Sequence, residues 1–168
     1  PSAMYEGCFC ASYYVLVVKL ISLSLKDTQC LNKECINDVA YQIVRYAYSN
    51  YMDSVYKYEL KLAINYNLAK GANQKEKELF FINTLSRNDE WIKYFFEKYP
   101  NLTHLLETYT YRIINYVTSF SHKFEEEKSQ LNDFFELEKS NIEKIKMFSG
   151  DIHFGKCVMA VDFDCGKR

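Results

Sequence analysis

Residues 37–71 read NDVAYQIVRYAYSNYMDSVYKYELKLAINYNLAKG, and the spacing within this stretch decides the fold. Val39, Ile43, Ala47, Tyr51 and Val55 recur at every fourth position, and Tyr58, Leu62 and Tyr66 continue the stripe. Such spacing puts apolar side chains on one face of a helix. Asn37 is a good N-cap type, and Gly71 stands where a C-cap glycine belongs. At ~1.5 Å per residue the helix would run about 50 Å. It admits a break near Ser49–Asp53, because Asn and Asp compete with helical backbone bonding.

The same texture extends on both sides. Residues 11–25 form an apolar run, with Val15, Leu16, Val17, Val18, Leu20 and Ile21. Periodicity does not separate strand from helix there, and helix is favoured because little nearby would pair with a strand. A polar break follows from Lys26 to Asn32. Beyond Gly71, Asn73 is placed to cap a short helix through Leu79, Phe80, Ile82 and Leu85. Asn88 or Asp89 caps the next, with Trp91, Tyr94, Phe95 and Tyr99 expected to face inward. Pro100 ends that helix and can open another, carrying Leu102, Leu105, Leu106, Tyr109, Ile113, Tyr116, Val117 and Phe120. The charged stretch Lys123–Lys128 reads as a solvated face of it.

After Ser140 the pattern changes. Ile142 to Phe148 reads as a strand, Ser149 to Gly155 as a loop, and Cys157 to Phe163 as a second strand. In the second strand Val158, Ala160 and Asp162 would share one face, and Met159, Val161 and Phe163 the other. Asp164-Cys165-Gly166 is turn chemistry. The fold class is therefore mainly α, a bundle-like helical region leading into a short β-hairpin. Residues 1–36 are an N-terminal segment with no domain assignment, 37–140 the helical region, and 141–168 the hairpin. The chain stops as a third strand would begin, which reads as a piece of a larger protein.

Composition excludes several classes. The 168 residues carry 21 Lys and Arg against 22 Asp and Glu, so the basic excess that nucleic acid would attract is missing. No apolar run reaches the ~20 residues of a transmembrane helix, and Lys19 interrupts the best one. With only 5 Gly and 2 Pro, turn signals are sparse, while 15 Tyr and 12 Phe must supply much of the core. Tyr46, Tyr48, Tyr51, Tyr56 and Tyr58 read as core residues with hydroxyls at its boundary. The six cysteines, Cys8, Cys10, Cys30, Cys35, Cys157 and Cys165, lack zinc-site spacing to His104, His122 or His153. They are expected to be reduced thiols, and no metal ligand set is assigned.

The segment Ser149-Gly-Asp-Ile-His-Phe-Gly155 holds the chemistry-bearing residues of the hairpin. Small residues let backbone N–H groups approach phosphate oxygens. Asp151 and His153 can handle protons, and His153 can also donate to an anion near neutral pH. The bland alternative is an ordinary hairpin loop with an Asx-turn at Asp151 and a solvated His153.

Gly150-Asp151-Ile-His153, then Gly155-Lys156-Cys157-Val158 and Phe163-Asp-Cys-Gly166-Lys167, resembles the GDxH segment of the class II lanthipeptide synthetases, the LanM family. Tyr58-Glu-Leu-Lys-Leu-Ala-Ile-Asn65 resembles a helix of that family's dehydratase domain. Phe80-Phe-Ile-Asn, Trp91 and Tyr99-Pro-Asn-Leu-Thr-His-Leu-Leu follow in the same order, so the resemblance covers roughly residues 35–168. One residue separates His153 from Gly155 where the family pattern has two.

The resemblance implies the N-terminal part of a cytoplasmic, ATP- and Mg-dependent dehydratase with a kinase-like core. Such an enzyme phosphorylates Ser and Thr of a ribosomal precursor peptide, leader and core, then eliminates phosphate to leave dehydroamino acids. It implies Asp151 and His153 as catalytic residues, and Gly150, Gly155 and Lys156 as nucleotide-binding ones. It also implies partners, namely the remainder of the dehydratase and a zinc cyclase domain. Lys156 is on the wrong element to replace the family's phosphate-binding strand lysine. That lysine and the metal-binding residues would lie beyond Arg168. The 168 residues alone are therefore expected to be inactive and to hold no cofactor. The rival reading is a non-enzymatic helical module that binds a peptide or protein.

Overall fold

The computed structural model describes residues 9–26, 30–135, 141–147 and 156–166. Among them are α1 (Phe9–Ser24), α2 (Lys33–Ala47), α3 (Asp53–Asn65), α4 (Gln74–Asn83), α5 (Asp89–Lys98) and α6 (Pro100–Phe135). Two strands follow, β1 (Ile142–Lys146) and β2 (Ala160–Phe163). The protein is mainly α, and the apolar run from residue 11 is helical as favoured, as far as Ser24. Two compact units form, one from Pro1–Tyr13 and Arg45–Glu107, the other from Tyr14–Val44 and Thr108–Arg168.

The four-residue stripe begins earlier than Asn37. Asn32 caps α2, its side-chain oxygen accepting the Cys35 N–H at 2.8 Å, because Cys35 already belongs to the buried face. The stripe then holds through Val39, Ile43 and Ala47. The admitted break is a π-helical turn at Tyr48–Met52. A π turn takes more residues per revolution and shifts the phase of the helix. Burial accordingly passes to Tyr48, Met52, Tyr56, Leu60 and Ala63. Tyr58 and Tyr66, which simple extension of the stripe would bury, are 53% and 73% exposed.

Gly71 is not the C-cap. The helix α3 ends at Asn65, and Asn67 takes the left-handed conformation at φ 54°. The Leu68 and Ala69 N–H groups then both reach back to the Ala63 carbonyl. Asn tolerates this conformation at low cost, so no glycine is required. Asn73 and Asn88 do cap α4 and α5, accepting from the N–H groups of Glu76 and Trp91 at 3.0 Å each. Pro100 is the first residue of α6, where its missing N–H costs nothing.

The core of the Arg45–Glu107 unit is aromatic. Phe81 is fully buried, with ring centroids of Tyr56 at 5.2 Å and Trp91 at 5.4 Å, both edge-on. Trp91 continues to Phe95 at 5.2 Å, and Phe95 to Tyr99 at 5.2 Å. Tyr94, expected to face inward, is instead 49% exposed, its ring 5.2 Å from the Lys98 ammonium.

In the other unit, α1 buries Val17 and Ile21, Leu25 is buried just past its end, and Ile113, Val117 and Phe124 of α6 are also buried. The strands pair antiparallel, Ile142 opposite Phe163 and Ile145 opposite Val161, with an irregularity between Ile142 and Lys144. That bulge has a packing reason. Ile142 and Ile145 are three apart, and a regular strand would send them to opposite faces. The extra residue brings both inward, at 1% and 0% exposure. Phe163 stacks on Phe124 at 6.0 Å. A single parallel bridge joins Leu31 to Ile142. The second strand is shorter than its sequence suggests. Pairing covers only Ala160–Phe163, and Val158 is 65% exposed.

Candidate functional site

Gly150, Asp151, His153 and Gly155 lie outside the described residues. Lys156 is described and exposed. The structure therefore shows what holds the two stems from which that segment departs, Met147 and Cys157.

Met147 is held by a side chain of α2. The Gln42 carboxamide donates to the Ile145 carbonyl at 2.7 Å and accepts the Met147 N–H at 2.8 Å. One amide thus supplies both hydrogen bonds that a neighbouring strand would otherwise make. Gln42 is steadied by a second donation to Asp38 at 3.1 Å, one helical turn earlier. Cys157 is held from α6, where the Tyr116 hydroxyl donates to its carbonyl at 2.8 Å. The Met147 and Cys157 side chains are both buried. At the far end of the hairpin the Asn141 N–H donates to the Asp164 carboxylate at 3.0 Å, and the Asp164 N–H to the Asn141 carbonyl at 3.1 Å. Lys146 pairs with Asp162 across the strands at 2.9 Å.

An open depression of about 360 Å³ lies beside this hairpin, lined by Glu34, Cys35, Asp38, Glu143, Lys144 and Asp162. Four carboxylates against one ammonium give it the wrong sign for a phosphate. Burial pushes the Cys35 thiol up to about 11, opposed by a hydrogen bond from the Ile145 backbone. Burial also raises Cys30, whose thiol donates to the Ser121 carbonyl at 3.7 Å. Both stay protonated at neutral pH and are poor nucleophiles. Cys30, Cys35, Cys157 and Cys165 are not in disulfides; the first three are buried and Cys165 is exposed. Among the described residues, no three His, Cys, Asp or Glu side chains are grouped to hold a metal.

A second polar cluster lies in the Arg45–Glu107 unit. Glu59 of α3 is 5% exposed. Its carboxylate accepts from the Lys98 ammonium at 2.7 Å and from the Tyr99 hydroxyl in a short hydrogen bond. The bond to Glu59, helped by Tyr94, raises Lys98 above the usual lysine range. Burial, then the neighbouring carboxylate, pushes Tyr99 up to about 12. Every group here has an internal partner, so the cluster ties α3 to the end of α5.

Sequence reasoning assigned no role to Gln42 or the Glu59–Lys98 pair, and placed Tyr116 only among the apolar residues of α6. Their partners lie 39 to 105 residues away, and no local pattern carries that information. His104 and His122 are both exposed on α6. No helix among the described residues is long and apolar enough to cross a membrane.

No curated protein matches the chain. Residues 99–168, which hold α6, the hairpin and the Gly150–Lys156 segment, match the model of a domain of unknown function, DUF4135.

Proposed function

We propose that this chain is part of a lanthipeptide dehydratase. The parent enzyme phosphorylates Ser and Thr side chains of a ribosomal precursor peptide with ATP and Mg²⁺, then eliminates the phosphate. The observation that carries the reading is the Gly150-Asp-Ile-His153 sequence carried between two stems, each tied by a hydrogen bond to a helix. The ordered likeness of residues 35–168 to the LanM family supports it, and residues 99–168 of the domain match fall inside that span.

When bound, ATP supplies the phosphoryl group and the metal offsets its charge. On this chain, Gly150 and Gly155 offer backbone N–H groups without side-chain obstruction, and the exposed Lys156 adds a positive charge beside them. The acid-lined depression does not suit the phosphates. Asp151 and His153 are the proton-handling pair, one a carboxylate and the other able to donate near neutral pH.

The test is mass spectrometry of a precursor peptide co-expressed with the enzyme of the complete reading frame, carrying Asp151→Ala or His153→Ala. Accumulated phosphopeptide places the residue in elimination, and unmodified peptide places it in phosphorylation. Full dehydration by both variants would sink the assignment. A second reading, a peptide- or protein-binding helical module, draws on α1, which leaves Val15, Leu16, Leu20 and Leu23 exposed. It predicts peptide binding without any change of peptide mass.

A further inference from the structure

We propose that Gln42 and Tyr116 are positioning residues, setting from the helices the placement of the two stems between which Gly150, Asp151 and His153 occur in the chain. This rests on the reading given under Proposed function. A two-stranded hairpin is marginal on its own, since half of each strand's backbone groups have no ladder partner. Here β1 meets Leu31 through a bridge at Ile142, and at its other end exchanges hydrogen bonds with a side chain. The Gln42 carboxamide bonds to the Ile145 carbonyl and the Met147 N–H at 2.7 and 2.8 Å. It acts at the last paired turn of β1 and just past it, so it continues the strand geometry beyond the point where pairing with β2 stops at Lys146 and Ala160.

Cys157 lies outside the ladder as well. Its carbonyl bonds to the Tyr116 hydroxyl at 2.8 Å, and its side chain is 6% exposed. The two stems thus continue past their mutual pairing, each following a different helix. Asp38 fixes the donor end of Gln42, which selects the amide orientation that makes both bonds to β1. Polar groups this well matched cost little where they sit, yet they do nothing for the core that an apolar pair would not do. Their specific contribution is register.

Three variants separate the parts. Gln42→Met keeps the length and loses both bonds. Gln42→Glu keeps an acceptor for the Met147 N–H but loses the donor to Ile145 and Asp38, and sets a carboxylate against both. Tyr116→Phe loses only the hydroxyl and keeps the packing. Amide exchange is measured on the 168-residue chain, and the ATP KM and kcat for peptide phosphorylation on the complete enzyme. In Gln42→Met the Met147 amide should exchange about tenfold faster, while the Val39 amide in the core of α2 is unchanged; Gln42→Glu should exchange faster than wild type as well, because its carboxylate meets the Asp38 carboxylate and the Ile145 carbonyl. In the complete enzyme, Gln42→Met, Gln42→Glu and Tyr116→Phe should each raise the KM for ATP about tenfold, with kcat less affected.

Unchanged Met147 exchange in Gln42→Met, or wild-type kinetics in both Gln42→Met and Tyr116→Phe, overturns the proposal. Should Gln42→Met fail to fold, Tyr116→Phe decides by the same kinetics. A complete wild-type enzyme that modifies no precursor peptide removes the dehydratase reading instead, and is told apart because the exchange result does not depend on it.

Discussion

The ammonium of Lys98 lies 2.7 Å from the carboxylate of Glu59, which is 5% exposed and 39 residues earlier in the chain. The two partners are not equivalent. Lys98 retains 30% side-chain exposure and can turn to water, whereas Glu59 cannot. Lys98→Met should therefore cost more than Glu59→Gln, about 3 kcal/mol against about 1 kcal/mol, because it leaves a buried carboxylate without its counter-charge. Urea unfolding of both variants at neutral pH measures the difference. Equal losses would show that Tyr99 alone satisfies the carboxylate.

Phe81 has no exposure and packs edge-on against the rings of both Tyr56 and Trp91. Phe81→Ala should destabilise the unit by about 3–5 kcal/mol. Trp91 is the single tryptophan, 5.4 Å from Phe81, so its fluorescence reports this loss directly. A shift in stability below about 1 kcal/mol would mean the site refills, against the close packing expected of such a core.

Alkali should weaken the fold through Cys35. Burial raises its folded value to about 11 from an ordinary value of 9.0. Below pH 9 the thiol is protonated in both states, and the stability it contributes is fully present. Between about pH 9 and 11 the unfolded chain loses this proton and the folded chain keeps it, so stability falls by about 2–3 kcal/mol. Cys35→Ala should flatten this part of the profile when urea midpoints are compared from pH 8 to 10.5. An unchanged slope would assign the loss to other groups, such as Tyr99, pushed up to about 12.

Gly71 is required for space. A Cβ there would lie 2.6 Å from the Glu76 Cβ and 2.7 Å from the Lys77 nitrogen. Glu76 cannot yield freely, since its carboxylate accepts the Ala72 N–H at 2.8 Å and the Asn73 amide at 2.8 Å. Gly71→Ala should cost about 1–3 kcal/mol. Gly166→Ala meets nothing within 4 Å, and only its φ of 79° opposes the change, so about 1 kcal/mol is expected. Thermal unfolding of the two variants, followed by circular dichroism, gives the comparison. A smaller loss at Gly71 than at Gly166 would contradict this reading.

The sequence by itself determined the elements whose causes are local. The stripe from Val39 to Ala47, the caps at Asn73 and Asn88, and Pro100 at the head of α6 each depend on residues within a turn or two. The strands after residue 141 were legible for the same reason. The Gly150-Asp-Ile-His153 motif is likewise a property of the linear chain, read without any tertiary contact. Tertiary packing decided the rest. It shifted the buried face at the π turn Tyr48–Met52, so that Tyr58 and Tyr66 face water. It placed a bulge between Ile142 and Lys144, so that two isoleucines three residues apart both enter the core. It brought Gln42 to Met147 over 105 residues and Tyr116 to Cys157 over 41. A helix or a cap forms from the free energy of neighbouring residues, which their order along the chain specifies. Which distant backbone group a glutamine or tyrosine satisfies depends on where two elements meet once their apolar faces are buried, and that meeting exists only in the folded chain.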